Sequence, residues 1–465
     1  LMVMPNEAYD NLQVMAAKGF ETDYGFYEAI DYTSSRLPRG QENVIIRSFM
    51  AHHQGMSFLS LAYVLLEQPM QKRFEADVQM QSSLLLLQER IPRVSTFYSP
   101  KVHISDSNIK PDVNEVSMRV ISTPHTLVPE IQLLSNGTYN VMVTNAGGSY
   151  SKWKDIALTR WREDATCDNW GTFCFIRDLE NNTSWSTSYQ PKKLTGDNYE
   201  AVFSQGRAEF RRRDHQLETH TEIVVSPEDD VELRRVHITN RSRRKRIIEV
   251  TSYAEVVLNN QNADVAHTAF SNLFVQTEII EQRNAIICTR RARSEGENPP
   301  TMFHLMKLHD AKTINISYET NRGKFIGRGN NINNPDAIHK ADPLSNSQGS
   351  VLDPIISIQY RMEIEPQQTA VIDMIIGIAD TKEATQTLIE KYQDKFMSDR
   401  AFELSWTHSQ VVLRQINAIE ADAQLYGRIA SSVIYTNPAL RADANIIIQN
   451  YRGQSGLWSY SISGD

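Results

Sequence analysis

Residues 116–164 read VSMRVISTPHTLVPEIQLLSNGTYNVMVTNAGGSYSKWKDIALTRWRED, and this stretch decides the fold. Short runs such as Tyr139–Thr144 alternate apolar and polar side chains, and Asn136-Gly137 and Gly147-Gly148 separate them. Period-two alternation between Asn-Gly and Gly-Gly turns is the pattern of antiparallel strands joined by tight hairpins. The same rhythm continues through 200–258, where Val231/Leu233, Val236/Ile238 and Ile247/Val250 alternate with Arg, Glu and His. One sheet exposed on a face would not bury so many apolar positions, so residues 116–380 predict a large antiparallel super-sandwich of two packed sheets. A doubly wound or barrel α/β enzyme is excluded on this pattern.

The chain has 465 residues, 40% of them hydrophobic, enough for about two or three domains with real cores. A net charge of −8 speaks against nucleic acid as a partner. Two local basic groups, Arg211 to 213 and the run 241–246, fall within an alternating strand and at a hairpin turn, and read as solvated strand faces. Three cysteines, Cys167, Cys174 and Cys288, are too few for a disulfide-stapled secreted protein. They read as packing residues of a chain kept in a reducing compartment, with a cytoplasmic location expected. No Cys/His spacing indicates a metal site. No apolar run approaches the ~18 residues of a membrane helix, and the opening LMVMPNEAYDN is no signal region. It starts as if in mid-domain, so the sequence is expected to be an internal portion of a longer polypeptide.

Helices are expected around the sheets. Over 43–67, Val44, Ile45, Phe49, Met56, Leu59 and Tyr63 recur mostly at three- and four-residue spacings, predicting one helix that Pro69 ends, with a second over 70–89. Residues 94–115 are polar, carry Pro100 and Pro111, and read as a linker. After Asp380 the period changes: Thr381 reads as an N-cap, and Leu388, Tyr392 and Phe396 follow at four-residue spacing in a pair of linker helices.

Two stretches carry candidate chemistry. YGFYEAIDYT, residues 24–33, sets Tyr27 beside the carboxylates Glu28 and Asp31. Aromatic faces stack on sugars, and acids protonate or attack a glycosidic centre, although an aromatic-rich helix start serving the core has the same composition. In MAHHQGMS, His52 and His53 are adjacent and cannot share one helix face, so one buried, satisfied histidine is expected there. The final RGQSGLWSYSISGD offers the platform Trp458, the carboxylate Asp465 and backbone amides freed by Gly453, Gly456 and Gly464.

YGFYEAIDYT, followed by GQENVIIRSFMAHHQGMSFLSLAYVL and RIPR, resembles the C-terminal end of the glycoamylase-like domain of bacterial cyclic β-1,2-glucan synthases. That resemblance implies the tail of an (α/α)-barrel over 1–93 and a retaining transglycosylase in which Glu28 is the nucleophile. Tyr27 and Asp31 would bind sugar, and the partner acid would lie upstream of this chain. The stretch 116–385, with TRWRED, NLFVQTEII, GRGNNINNPDAI and GSVLDPIISIQYRMEIEPQQTAVIDMIIGIADT, resembles the N-terminal super-sandwich of inverting disaccharide phosphorylases such as cellobiose and chitobiose phosphorylase. In that family the sandwich packs on a helical catalytic barrel and contributes edge loops, in some members at a subunit interface, which admits a homodimer.

By the same resemblance, 381–420 are linker helices and 421–465 open the phosphorylase barrel. Gln454, Trp458 and Asp465 would line its donor-sugar subsite, with Ser461 departing from an expected glycine. The general acid and most phosphate ligands would lie downstream, so phosphorolysis is not expected of this chain alone. No cofactor is implied, and inorganic phosphate would be the cosubstrate of a parent that is itself expected to be anchored in the inner membrane. The expected partners are a β-glucan oligosaccharide and the rest of the parent. Arg160, Trp161 and Asp164 form a further polar-aromatic set that a sandwich turn would equally use. Two rivals remain: a non-catalytic sandwich binding glucan through exposed Trp153, Trp161 and Trp170, and a shortened disaccharide phosphorylase.

Overall fold

The computed structural model describes residues 1–33, 37, 40–77, 118–164, 166–294, 297–340, 342–435, 437, 440, 442–451, 453 and 456. The alternating stretches become antiparallel strands, and among the described residues two large sheets contain nine strands each. One runs edge to edge through Val275–Ile280, Ala285–Arg290, Thr301–His309, Thr369–Ala379, Val231–Asn240, Leu217–Val225, Arg207–Asp214, Asn198–Ser204 and Arg119–Ile121. The other runs through Thr183–Ser186, Phe173–Asp178, Arg246–Asn260, Ile156–Thr159, Ser149–Trp153, Tyr139–Thr144 and Ile131–Ser135. Pro354–Ile364 pairs with Arg246–Asn260, and Lys312–Asn321 pairs with Pro354–Ile364.

The pleat explains the core. Val236 and Ile238 meet Tyr139, Val141, Leu158, Ile176 and Trp185 between the two sheets. Val231 and Leu233, on the same strand but of opposite parity, face outward into a second cluster with Phe303, Ile375, Ile389, Tyr392 and Phe402. The helix Lys382–Lys391 supplies Ile389, its C-terminal flanking residue is Tyr392, and the helix Lys395–Gln415 supplies Phe402. Each such side chain removed from water is worth about 1.5–3 kcal/mol, so the helices are fastened to one end of the outer face. Thr381 caps the first of them through the Ala384 N–H, and Asp394 caps the second through the Phe396 N–H. The predicted stripe breaks at that second cap: Tyr392 is buried and Phe396 is exposed.

The basic groups sit where expected along the chain, within the strand Arg207–Asp214 and at the turn into Arg246–Asn260, but they are not all solvated. Arg211 and Arg213 are exposed, whereas the pleat turns Arg212 inward onto Asp214, and Arg246 is buried against Asp178. Cys174 and Cys288 are buried and free, and burial pushes each thiol up to about 12; Cys167 is half-buried. Trp153 is buried too, with its indole N–H on Asp230 at 2.6 Å, so it cannot serve as an exposed sugar platform.

The chain separates into two compact units, 109–441 around the sheets and a smaller one of 1–108 with 442–465. In the smaller unit the helix Pro5–Ala17 leads into the ribbon Glu21–Thr22 and Gly25–Phe26, and then Ala29–Asp31 pairs with Val44–Ile46. Here the helical expectation fails. The predicted helix over 43–67 begins only at Ala51, because the β-branched run Val44-Ile45-Ile46 pairs as a strand instead. The stretch 24–33 is likewise ribbon and strand, not a helix start. The next helix is Pro69–Ala76, and residues 78–89 of the predicted one lie outside the described residues.

Candidate active site

Glu28 leads into the strand Ala29–Asp31, and its own N–H donates to Ser48 O at 3.3 Å. This sets its carboxylate against the first turn of the helix Ala51–Leu65, whose N-terminal flanking residue is Met50. The Met50 N–H donates to Glu28 Oε1 at 2.6 Å, His53 Nδ1 meets Oε2, and Gln54 Nε2 approaches Oε1 at 3.4 Å. Three groups of one helix turn thus converge on one anion, where the positive end of the helix dipole adds to them. The Met50 N–H first, then His53, holds the carboxyl below the usual glutamate range. The side chain is 7% exposed although few protein atoms crowd it, so hydrogen bonds and not burial set the direction.

Aromatic residues flank Glu28 and Met50 in sequence, and their rings cluster. Tyr27 lies 5.2 Å from Phe49, ring to ring, and Tyr24 lies 6.4 Å from Phe49. Tyr24 is 84% exposed, a surface that can accept the apolar face of a sugar. Asp31 is turned to its own strand end, where Oδ1 accepts from the Thr33 N–H at 2.7 Å. Gln454, Trp458 and Asp465 lie outside the described residues.

Sequence reasoning misplaced His53. It is not a buried core histidine: its side chain is 47% exposed, its ring lies 4.2 Å from that of His52, and its partner is the candidate nucleophile. The signal available was the position of the His-His pair, directly after a chain entry that leaves helix N–H groups unpaired.

TRWRED resolves into structure. Arg160, 4% exposed, bonds Glu255 at 2.6 Å, Asp264 at 3.2 and 3.1 Å and Asn272 at 2.6 Å. Trp161 packs edge-on against Tyr150 and Tyr435, and Asp164 closes its own turn on Thr166 and Cys167. These residues hold the sandwich edge.

Residues 114–395 match the family model described as glycosyl hydrolase 94, supersandwich domain. The chain belongs to that family. A curated relative of this supersandwich chain, the cyclic beta-(1,2)-glucan synthase NdvB of Rhizobium meliloti (strain 1021), is 32% identical over 466 residues, 100% of this chain and 16% of that protein. The alignment therefore includes the Glu28 and His53 segments as well as the supersandwich. The N,N'-diacetylchitobiose phosphorylase of Vibrio furnissii is 23% identical over 297 residues, 61% of this chain and 35% of that protein. This chain thus spans well under two thirds of the length of either relative. A solved bacterial glucoamylase complexed with acarbose aligns over 66% of this chain and 43% of its own, at TM-score 0.38 and 8% identity, a likeness too slight to bear on function. Among the described residues no helix is long and apolar enough to cross a membrane.

Proposed function

We propose that this chain is part of an enzyme that remodels β-1,2-linked glucans, with Glu28 as the nucleophile of a retaining transglycosylation. One observation carries the reading: the Glu28 carboxylate is held by Met50, His53 and Gln54 and its pKa is lowered. A general acid needs a raised pKa to keep its proton at neutral pH, whereas a nucleophile must be ionised. In this role Glu28 attacks the anomeric carbon as the glycosidic bond breaks, and a second carboxyl of the full polypeptide protonates the departing oxygen. A glucan hydroxyl then displaces Glu28, and the anomeric configuration is retained. Tyr27 and Asp31 would hold the sugar beside it.

On this reading, 1–93 close a glycoamylase-like barrel, 94–115 link it to the supersandwich of 116–380, 381–420 are linker helices and 421–465 open a phosphorylase barrel. Gln454, Trp458 and Asp465 would bind the donor sugar there, with inorganic phosphate as cosubstrate and no organic cofactor. The partners would be a β-glucan oligosaccharide, the rest of the polypeptide and, through supersandwich edge loops, a second copy. The family match over 114–395 and the alignment of this whole chain with 16% of the glucan synthase support this arrangement.

The test uses the full-length polypeptide and its Glu28→Gln variant on linear β-1,2-glucooligosaccharides, with and without phosphate. Phosphate-independent chain exchange should fall by about three orders of magnitude or more in the variant, while phosphate-dependent release of glucose 1-phosphate persists. Exchange at the original rate would overturn the nucleophile assignment. Failure of the unmodified polypeptide to bind or turn over these glucans would overturn the substrate class.

A further inference from the structure

The outer face of the sheet that contains Val231–Asn240, beyond the part covered by helices, gathers histidines and carboxylates that the glucan reading does not use. Leu217–Val225 and Val231–Asn240 pair so that His220 lies directly opposite His237, and Glu222 follows His220 on the same face two residues on. The imidazoles stack with centroids 5.6 Å apart at an interplanar angle of 21°. One ring nitrogen from each histidine and one carboxylate oxygen of Glu222 lie within 4.8 Å of one another.

The surrounding groups orient these atoms. His220 Nε2 bonds Glu209 Oε2 at 2.8 Å, from the opposite neighbour strand Arg207–Asp214. Arg207 Nη1 grips Glu222 Oε1 at 2.6 Å, and this leaves Oε2 directed at His237 Nε2, 3.2 Å away. Arg211 binds Glu209 at 3.0 Å and approaches Glu200 at 3.7 Å. Three carboxylates face two guanidiniums, so with neutral imidazoles the cluster carries net negative charge. The histidine side chains are 32% and 31% exposed, and the partners Glu209 and Arg207 lie, with Glu200, Arg211 and Trp406, on an open hollow of about 420 Å³.

We propose that His220, His237 and Glu222 form a binding site for a divalent transition metal of the zinc class, with Glu209 positioning His220. Two imidazoles and a carboxylate suit Zn²⁺, Ni²⁺ or Cu²⁺ better than the all-oxygen preference of Mg²⁺ or Ca²⁺. A tetrahedral ion about 2.1 Å from each donor requires the donors roughly 3.4 Å apart. Partly exposed imidazoles reach that spacing by small rotations about their side-chain bonds. Three protein ligands leave a coordination position open, where water or a ligand group completes the shell. A carboxylate hydrogen-bonded to a liganding imidazole fixes the ring and raises its basicity, the part Glu209 takes here. Sequence spacing concealed the site because its ligands come from two strands brought together only by register.

The experiment titrates Zn²⁺ into the untagged, metal-stripped chain in competition with a chromophoric chelator. One equivalent should bind with a dissociation constant of about a micromolar or below. His220→Asn and His237→Asn should each weaken it by about 100-fold or more, and Glu209→Gln by about 10-fold, while His309→Asn leaves it unchanged. A second measurement needs no variant: Zn²⁺ should protect His220 and His237 from diethyl pyrocarbonate, read by mass spectrometry, and leave His125 and His408 labelled as before. Absence of a bound equivalent, equal affinity in the double histidine variant, or unchanged labelling of both histidines overturns the proposal.

Discussion

Arg160 and Asp168 are two buried titratable groups that the sandwich treats in opposite ways, the first held charged by its carboxylate partners and the second pushed toward its neutral form by burial. Arg160 neutralises Glu255 and Asp264, and Asp264 is 1% exposed. Although burial by itself would raise the Asp264 pKa, Arg160 and Arg162 bring it below the ordinary aspartate value. A depressed folded pKa contributes stability that is present above the unfolded value and is lost as pH falls through the folded one. Arg160→Met strands that carboxylate, and we expect a loss of about 3–5 kcal/mol, nearer the lower figure because Arg162 still reaches Asp264 at 2.7 Å. Urea unfolding at neutral pH measures it, and a change below about 1 kcal/mol would show that the network is not a unit.

Asp168 is the opposite case. Burial raises its pKa from 3.8 to about 6, against hydrogen bonds from Thr144 at 2.6 Å and Tyr435 at 2.7 Å. The folded state therefore holds this proton more tightly than the unfolded state, and stability attributable to Asp168 declines as pH rises from about 4 to about 6. Asp168→Asn should remove that decline, worth roughly 3 kcal/mol at 1.36 kcal/mol per pKa unit. Unfolding free energies of both proteins across this interval supply the measurement, and parallel pH profiles would refute the assignment.

At the scale of elements, a strand is legible where one face is wet, and less so where both are covered. The runs around Asn136-Gly137 and Gly147-Gly148 fold as hairpins because alternation and turn chemistry agree. Thr369–Ala379 reads as near-continuous apolar sequence because the sandwich core covers one face and helices the other. Gly377 on that strand lies opposite both Val231 and Phe303, and a Cβ there would come within 2.4 Å of Phe303 Cε1 and 2.8 Å of Val231 Cγ2. Gly377→Ala should therefore destabilise the sandwich by about 1–3 kcal/mol through overpacking. A thermal midpoint equal to that of the unsubstituted chain would mean that the Phe303 ring moves aside freely. The helix over 43–67 was misread for a related reason. Val44, Ile45 and Phe49 satisfy helical spacing, but the cross-strand partners Ile46↔Ala29 and Ile45↔Ile30, which decide the matter, cannot be read from a local window. Glu28 was legible as a carboxylate among aromatics, whereas its three donors belong to a helix start that this misreading placed elsewhere.

For the whole molecule, the difference between the two units is one of burial. The helix Ala51–Leu65 has no buried residue, and Met56, Phe58, Leu59 and Leu65 are 63%, 71%, 55% and 69% exposed. In Ala444–Gln449, Ile446, Ile447 and Ile448 are likewise exposed. The central strands of the sandwich, by contrast, are buried along almost their whole length. Exposed helices stabilised mainly by their own hydrogen bonds open at little free-energy expense, and a protease samples those openings long before it reaches a buried ladder. Limited proteolysis of this chain should cut within 1–77 and 442–451 first and leave a resistant body over most of 118–435. Apolar helix faces of this size also call for a covering surface, so the same segments in a polypeptide extended at both ends should resist cleavage. Equal resistance of ends and centre in the shorter chain would show that these helices are already covered, through self-association, and sedimentation of the chain across a concentration series would then reveal the oligomer.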